Sequence, residues 1–262
     1  MYNEIMYQRT KYLFDPKSKS PFKISRSKIE LFVQCPRCFY LDLRHGLKRP
    51  SWPAFTLNSA VDALLKKEFD THRAGNTAHP LMAAYKLNYR PFAHSKMDQW
   101  RHNFTGVQVK HEVTNFMVYG AVDDIWQDDE GNLMIVDYKS TSTDKPIDLN
   151  DHWKAAYKRQ MEFYQWLARH NEELGKYRVL DLGYFVYCNG QKDVAAFDAK
   201  LEFNIELIPY EGNDAWVEDK ILSAHQCLSN DKIPEAVADC EYCQYRQAAK
   251  TLEMWGGDSL FS

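Results

Sequence analysis

Two carboxylates and a lysine stand at spacings that suit metal-dependent chemistry. Asp137 and Lys139 lie two residues apart in the segment LMIVDYK, and Asp123 precedes them in DDIW. Residues two apart share one face of a strand, and charges beside an apolar surface are costly unless they are paired or used. Oxygen ligands suit Mg²⁺ or Mn²⁺. These residues therefore predict a divalent-metal site, with a partly buried salt bridge as the structural alternative.

A hairpin is the element that must bring the acids together. The segments 116–126 and 133–140 are strand-like, and a polar loop, DDEGN, separates them. If the loop is residues 128–132, Asp123 lies opposite Asp137, with the two side chains within about 5 Å of each other. Carboxylates that close repel each other unless a cation lies between them. The predicted pairing therefore strengthens the metal hypothesis.

A helix predicted over 153–168 follows the hairpin. Gln160 and Tyr164 are one turn apart in the middle of its apolar stripe. An amide in that position needs a hydrogen-bonding partner, and the hairpin is the nearest candidate. Within the hairpin, Asp123 and Asp124 point to opposite faces of their strand, so only one of them can join the site.

An earlier amphipathic helix is predicted over 57–73, with Asn58 as its cap. Glu68 is expected near the centre of its apolar face, as a core acid paired with a basic residue or, less favoured, as a metal ligand. The apolar face is predicted to consist of five residues: Leu57, Val61, Leu64, Leu65 and Phe69.

These motifs carry a family resemblance. The segments GAVDDIW (120–126), IVDYKS (135–140) and QMEFY (160–164) resemble the G-x-x-D, D-x-K and Q-x-x-x-Y motifs of the RecB-like branch of the PD-(D/E)XK nucleases. The three motifs occur in the family's order. The resemblance implies an α/β fold with a mixed sheet and a restriction-endonuclease-like α-β-β-β-α-β core.

The resemblance also implies roles for single residues. Asp123 and Asp137 would bind a catalytic Mg²⁺ or Mn²⁺, Lys139 would assist hydrolysis, and Gln160 and Tyr164 would support the site or contact DNA. The implied activity is a metal-dependent deoxyribonuclease, as an exonuclease or DNA-end-processing enzyme. A non-catalytic nucleic-acid-binding or scaffold subunit of the same fold is the alternative.

Asp62 marks a departure from the family. Related exonucleases often have a glycine and, four residues later, a metal-binding histidine, where this chain has Asn58 and Asp62. Aspartate can replace histidine as a ligand for a hard cation, so we expect Asp62 to join Asp123 and Asp137. The alternative is a surface acid that pairs with Lys66 one helical turn later.

Four cysteines form two C-x-x-C pairs far apart in the chain. Cys35 and Cys38 form the first pair, and Cys240 and Cys243 form the second. Without an export signal, thiols are expected to stay reduced, so the pairs predict one four-thiolate metal site that joins both ends of the domain.

The segment around the first pair, CPRCFYLDLRHG, resembles the entry segment of the iron–sulfur nucleases of CRISPR adaptation and of AddB-type helicase–nucleases. In those proteins one early and three late cysteines hold a 4Fe-4S cluster, whereas here the division is two and two. The resemblance favours a 4Fe-4S cluster, and tetrahedral zinc is the second interpretation.

Domain organisation and location follow from the whole chain. Residues 1–24 are predicted as a basic N-terminal arm, 25–246 as a single nuclease domain, and 247–262 as a C-terminal tail.

The formal net charge is −3, so DNA, the expected partner, requires a local basic surface. The charged N-terminus and the absence of long apolar runs favour a cytoplasmic protein that does not enter membranes. A helicase or other nucleic-acid-processing protein on a separate chain is a further partner that the resemblance allows.

Overall fold

The computed structural model describes residues 8–50, 56–151 and 154–255. Predicted features at residues 1–7, at Trp153 and at 256–262 therefore lie outside the described residues. In chain order, the helices and strands are β1 (Phe22–Ser25), α1 (Arg26–Gln34), α2 (Pro36–His45), α3 (Thr56–Gly75), α4 (Pro80–Ala84), β2 (Tyr89–Pro91), α5 (Met97–Arg101), β3 (Val107–His111), β4 (Phe116–Gly120), β5 (Asp124–Asp128), β6 (Leu133–Thr141), α6 (Ala155–His170), β7 (Leu182–Gly190), β8 (Phe203–Glu211), α7 (Ala215–Ser229) and α8 (Glu241–Trp255).

The chain divides into two compact units, each built from segments that are distant in sequence. Unit 1 consists of the described residues of Met1–Trp52, Glu112–Phe116 and Glu218–Ser262. Unit 2 consists of the described residues of Pro53–His111 and Met117–Val217. The acids, Lys139 and Gln160 belong to unit 2, and the four cysteines belong to unit 1.

A five-stranded mixed sheet organises unit 2, in the order β2-β5-β6-β7-β8. Strands β6 and β7 are parallel, whereas β5 pairs with β6 and β8 pairs with β7 in antiparallel fashion. A parallel pair needs a long crossover connection, and α6 supplies it. The expected α/β fold with a mixed sheet is confirmed.

The hairpin register is as the loop length predicts. Gln127 pairs with Leu133 and Asp124 pairs with Val136, so Asp123 lies one residue beyond the last pair of the ladder. The expectation of one continuous strand over 116–126 is wrong, because β4 ends at Gly120 and β5 begins at Asp124. The break places Asp123 in the short connection between these two strands.

Helix α3 covers one face of the unit 2 sheet. It begins at Thr56, so Asn58 lies inside the helix and does not cap it. Leu65 and Phe69 are buried, whereas Leu57 and Leu64 are exposed. The helix therefore buries a narrower face than its composition suggests. The buried cluster between α3 and the sheet consists of Leu65, Phe69, Met82, Trp126, Met134, Val136, Tyr138, Tyr184, Val186, Cys188 and Leu207.

Unit 1 contains α1, α2, α8 and most of α7. Pro36 separates α1 from α2 and is the first residue of α2, because proline cannot continue the first helix but fits the start of the next. Phe14 is buried against Phe116 and His225, and the Arg9 guanidinium pairs with the Asp42 carboxylate at 3.1 Å. The described part of the basic arm is therefore attached to unit 1 through these side chains, although most of its residues are exposed.

The predicted domain boundaries fall inside elements or units. Residue 24 lies within β1 (Phe22–Ser25), and α8 (Glu241–Trp255) continues past residue 246. Because unit 1 combines segments from both ends of the chain, a linear boundary in the sequence cannot describe it.

Candidate metal centres

The centre in unit 2 is built around Asp137, near the end of β6. Its carboxylate is fully buried and forms an ion pair with the Lys139 ammonium group. The Gln160 side-chain amide donates a hydrogen bond of 2.8 Å to Asp137 Oδ1. Lys139 Nζ also lies 4.7 Å from the centre of the Tyr157 ring, a favourable distance for a cation–π interaction. Two residues of α6 thus hold the acid and the lysine.

Asp123 is fixed from two sides. Its Oδ2 atom accepts a hydrogen bond of 2.9 Å from the backbone N–H of Tyr138, the residue between Asp137 and Lys139. Its Oδ1 atom lies 3.3 Å from the ammonium nitrogen of Lys66 on α3. The backbone bond ties the β4–β5 connection to the end of β6, so the hairpin brings Asp123 to the same end of the sheet as Asp137.

Asp62 reaches this centre through Lys66. The Lys66 ammonium donates a 2.9 Å hydrogen bond to Asp62 Oδ2, one helical turn away. Lys66 therefore contacts Asp62 and Asp123 at once. The pairing between Asp62 and Lys66 that the sequence allowed is present, and it extends to Asp123, which the sequence did not indicate.

The charges of the centre shift the pKa values of its members. Burial alone would lower the pKa of Lys139, but the Asp137 and Asp123 carboxylates outweigh it and raise that pKa. Burial would likewise lower the pKa of Lys66, and Asp123 and Asp62 together raise it. Burial and the nearby Asp123 charge raise the pKa of Asp62 despite its bond to Lys66. The three acids and two lysines are thus electrostatically linked.

Gln160 and Tyr164 lie together on α6. The Gln160 amide nitrogen is 3.3 Å from the Tyr164 hydroxyl oxygen. The ring of Tyr164 packs closely against Gly120, where an added Cβ atom would lie only 2.7 Å from Tyr164 Cε1. The glycine that precedes Asp123 thus gives Tyr164 the room to approach the strand.

Asp124 has a different role from its neighbour. Its carboxylate is fully buried and pairs with the guanidinium groups of Arg73 at 2.5 Å and Arg101 at 3.0 Å. The Tyr138 hydroxyl donates a further bond of 2.8 Å to it. The two adjacent aspartates therefore have different surroundings, with Asp123 in the centre and Asp124 in a buried ion-pair network.

The second centre is formed by the four cysteines of unit 1. The sulfur atoms of Cys35, Cys38, Cys240 and Cys243 all lie within 4.8 Å of one another and are buried. Within the described residues, no other group of three or more His, Cys, Asp or Glu side chains meets this limit. Asp62, Asp123 and Asp137, which are all described, are therefore less closely gathered than the cysteines.

Each C-x-x-C pair lies at the start of a helix. Cys35 is the N-cap of α2, and Cys240 immediately precedes α8, whose first residue is Glu241. Helix N-termini favour negative charge, and thiolates are the form of cysteine that binds metals. Burial would raise the pKa of Cys35, but backbone hydrogen bonds at Val237 and Cys38 lower it to about 6, whereas burial raises the pKa of Cys38 and of Cys243.

Three of the sulfur separations are close to those around a single tetrahedral ion. Cys35 and Cys243 are 3.9 Å apart, Cys38 and Cys240 are 3.7 Å apart, and Cys38 and Cys243 are 3.6 Å apart. Zinc–sulfur bonds of about 2.3 Å in a tetrahedron place the sulfurs about 3.8 Å apart. In a four-iron cluster each thiolate binds a different iron atom, so its sulfurs must stand farther apart.

Arg49 contributes positive charge to the cysteine centre. One guanidinium nitrogen is 3.4 Å from Cys240 Sγ, and another donates to Gln34 Oε1 at 2.9 Å. The guanidinium carbon lies 4.6 Å from the centre of the Tyr242 ring. Four thiolates around one divalent ion leave a net charge of −2, which Arg49 partly offsets.

The sequence of this chain matches a family model over residues 56–248, and that family is the PD-(D/E)XK nuclease superfamily. The matched region includes the sheet, α3, α6 and every acid of the first centre. This chain belongs to the PD-(D/E)XK nuclease superfamily. The superfamily and the α/β fold class expected from the sequence are confirmed, and the RecB-like branch stays a prediction.

Individual proteins give little support beyond the match to the family model. No curated protein matches the chain. The crystal structure of a candidate exonuclease from Eubacterium rectale is similar over 85% of this chain and 87% of that chain, with 14% sequence identity and a TM-score of 0.42. None of the described helices is long and apolar enough to cross a membrane.

The sequence did not indicate several contacts of the candidate centre in unit 2. Tyr157 lies four residues before Met161 on the predicted helix, but nothing in the local pattern links it to Lys139. The spacing of Asp62 and Lys66 signals their pairing, but the contact of Lys66 with Asp123 depends on how α3 packs on the sheet. Glu68 was expected in the core, whereas its side chain is more than half exposed and pairs with His79 at 3.0 Å.

Proposed function

We propose that this member of the PD-(D/E)XK nuclease superfamily is a divalent-metal-dependent deoxyribonuclease of the RecB-like branch that processes DNA ends. The proposal rests on one observation: four side chains lie together at one end of the β5–β6 hairpin, namely Asp123, Asp137, Lys139 and Gln160. Their elements all lie within the region that matches the family model.

The donor set fits a hard divalent cation. Asp123 and Asp137 offer carboxylate oxygens, with Asp62 as a third acid, and Mg²⁺ and Mn²⁺ prefer such ligands. A cation of this kind, when bound, activates water and neutralises charge on the phosphate. The carboxylates are balanced by two lysine side chains, so a bound cation would replace positive charge that these acids already attract.

The protein's own residues would then divide the remaining work. Gln160 orients Asp137 by donating to its Oδ1 atom. The Tyr138 backbone N–H orients Asp123 through Oδ2. Lys139 brings a positive charge to the centre, where it would stabilise negative charge that develops on the phosphate oxygens. Tyr157 restrains the lysine by contact with its ammonium group.

The cysteine centre supports a structural metal, and we propose zinc. Three sulfur separations of 3.6–3.9 Å, with all four sulfurs within 4.8 Å of one another, fit one tetrahedral ion better than the 4Fe-4S cluster that the family resemblance favours. The centre lies in unit 1 and shares no residue with the nuclease centre of unit 2. A cytoplasmic location and a helicase or similar partner on a separate chain stay predictions.

A cleavage assay tests the proposed activity. Linear and circular DNA, in single- and double-stranded form, are incubated with Mg²⁺ or Mn²⁺ and then with a chelator. We expect metal-dependent cleavage of linear DNA, with a loss of about a hundredfold or more in Asp137→Asn and in Lys139→Met. Circular substrates distinguish end-processing from internal cleavage.

Two exposed residues provide matched controls for this assay. Asp129, in the hairpin loop, and Lys145 are exposed, so Asp129→Asn and Lys145→Met should cleave at the parental rate. Cleavage at the parental rate by a folded Asp137→Asn variant would contradict the assignment of the site.

A further inference from the structure

Lys66 occupies the space between two acids of the nuclease centre. Its ammonium nitrogen is 2.9 Å from Asp62 Oδ2 and 3.3 Å from Asp123 Oδ1. The side chains are largely shielded from solvent, since Lys66 is 22% and Asp123 is 23% exposed. Charges in such a position are less screened by salt than charges on an open surface.

A divalent ion and the Lys66 ammonium group would compete for these oxygens. An ion such as Mg²⁺ lies about 2.1 Å from each ligand oxygen and demands near-octahedral geometry. An ammonium group that donates a hydrogen bond to the same carboxylate would lie within a few ångströms of that ion. Two positive charges at this separation repel each other strongly in a partly buried site.

We propose that Lys66 is an internal counter-ion that competes with the divalent cation for Asp62 and Asp123. This inference rests on the proposed function, because the competing ion is the one that serves cleavage. In the metal-free protein, Lys66 neutralises the two acids and stabilises α3 against the β4–β5 connection. Binding of the ion requires that the Lys66 ammonium leave the carboxylates, so Lys66 sets the metal concentration at which the centre fills.

Lys66 and Lys139, the lysine of the D-x-K motif, pair with different acids. Lys139 pairs with Asp137 and lies beside Tyr157 of α6, whereas Lys66 comes from α3 and contacts the two acids that Lys139 does not pair with. A merely structural role for Lys66 would involve the same ion pairs but would leave the affinity for metal unchanged when the charge is removed.

The test measures metal binding to the full-length protein without DNA. Mn²⁺ and Mg²⁺ are titrated calorimetrically into the parent, Lys66→Met, Lys66→Gln and Lys66→Arg. We expect Lys66→Met and Lys66→Gln to bind the ions about tenfold more tightly, or about 1.4 kcal/mol, because the acids lose their internal competitor. Lys66→Arg keeps the positive charge and should bind no more tightly than the parent.

A neighbouring lysine and an acid provide the controls. Lys67 is exposed on the same helix, so Lys67→Met should leave the dissociation constants unchanged. Asp123→Asn should weaken binding, which identifies the titrated site. The increase in melting temperature caused by a fixed Mn²⁺ concentration gives an independent reading and should be larger in Lys66→Met than in the parent.

Failure of this inference is distinct from failure of the proposed function. An equal or larger dissociation constant in Lys66→Met and in Lys66→Gln would overturn the inference, even if the parent cleaves DNA normally. A parent protein that neither binds Mn²⁺ nor cleaves DNA at any metal concentration would instead overturn the proposed function.

Discussion

At the scale of single residues, two adjacent aspartates have opposite surroundings. Asp123 is partly exposed and contacts Lys66, whereas Asp124 is fully buried between Arg73 and Arg101. A buried ion pair costs desolvation energy, and removal of one partner leaves an uncompensated charge. The network around Asp124 also holds Tyr138, whose backbone positions Asp123. Asp124 therefore supports the centre without belonging to it.

Removal of the Asp124 carboxylate should destabilise the protein strongly. Asp124→Ala is expected to lower the free energy of unfolding by about 3–5 kcal/mol, because Arg73 and Arg101 lose a buried counter-ion. Urea denaturation measures the change. The exposed Asp129 lies 3.8 Å from Arg90, and Asp129→Ala should cost less than about 1 kcal/mol. Equal stability of the two variants would show that the network contributes little.

At the scale of elements, the approach of α6 to the sheet decides where Gln160 and Tyr164 lie. Gly120 ends β4 and faces the Tyr164 ring, and an added Cβ would be 2.7 Å from Tyr164 Cε1 and 3.0 Å from Leu167 Cδ1. Such distances leave no room for a methyl group in a packed interior. The glycine of the G-x-x-D motif therefore has a packing role in this chain.

Substitution of Gly120 should disturb both packing and the candidate centre in unit 2. Gly120→Ala is expected to lower the free energy of unfolding by about 1–3 kcal/mol, because the added methyl group overpacks the contact with α6. Chemical denaturation measures stability, and the cleavage assay should show a lower rate because Tyr164 and Gln160 move.

Gly75 provides the control for this substitution. At Gly75, the last residue of α3, the nearest atom to an added Cβ is 3.6 Å away, so Gly75→Ala should change stability by less than about 0.5 kcal/mol. If Gly120→Ala is as stable and as active as the parent, the close contact does not constrain the site.

At the scale of the whole molecule, unit 1 draws on both ends of the described chain. The cysteine centre connects the start of α2 with the start of α8, two helices that are far apart in sequence. A metal that binds only the folded arrangement stabilises it by mass action, by about 4 kcal/mol when its concentration is a thousand times the dissociation constant. A metal bound by these cysteines would therefore link two segments that about 200 residues separate.

Loss of one thiolate should release the metal and lower thermal stability. Elemental analysis of the anaerobically purified protein should find one zinc per chain. Cys243→Ser should lose the metal and about 4 kcal/mol of stability, or about 8–16 °C in melting temperature. Cys227, outside the cluster, is the control, and Cys227→Ser should retain the metal. Iron and inorganic sulfide in the parent, with no zinc, would contradict the zinc proposal and support a 4Fe-4S cluster.

The local elements and the order of the motifs were predictable from the sequence alone. The strand-like run LMIVDYK and the polar loop DDEGN are defined by neighbouring residues, so the hairpin and its register followed from local pattern. The pairing of the two C-x-x-C motifs followed from the chemistry of reduced thiols. The family itself was predictable because its motifs consist of contiguous residues on these elements.

Contacts between side chains of different elements became known only from the tertiary structure. β4 ends at Gly120, against which Tyr164 of α6 packs, and a strand-like composition over 116–126 concealed this break. The exposure of Leu57 and Leu64 depends on how much of α3 the sheet covers. The contact of Lys66 with Asp123 joins residues 57 positions apart, and such contacts are set by packing of whole elements, which no local periodicity encodes.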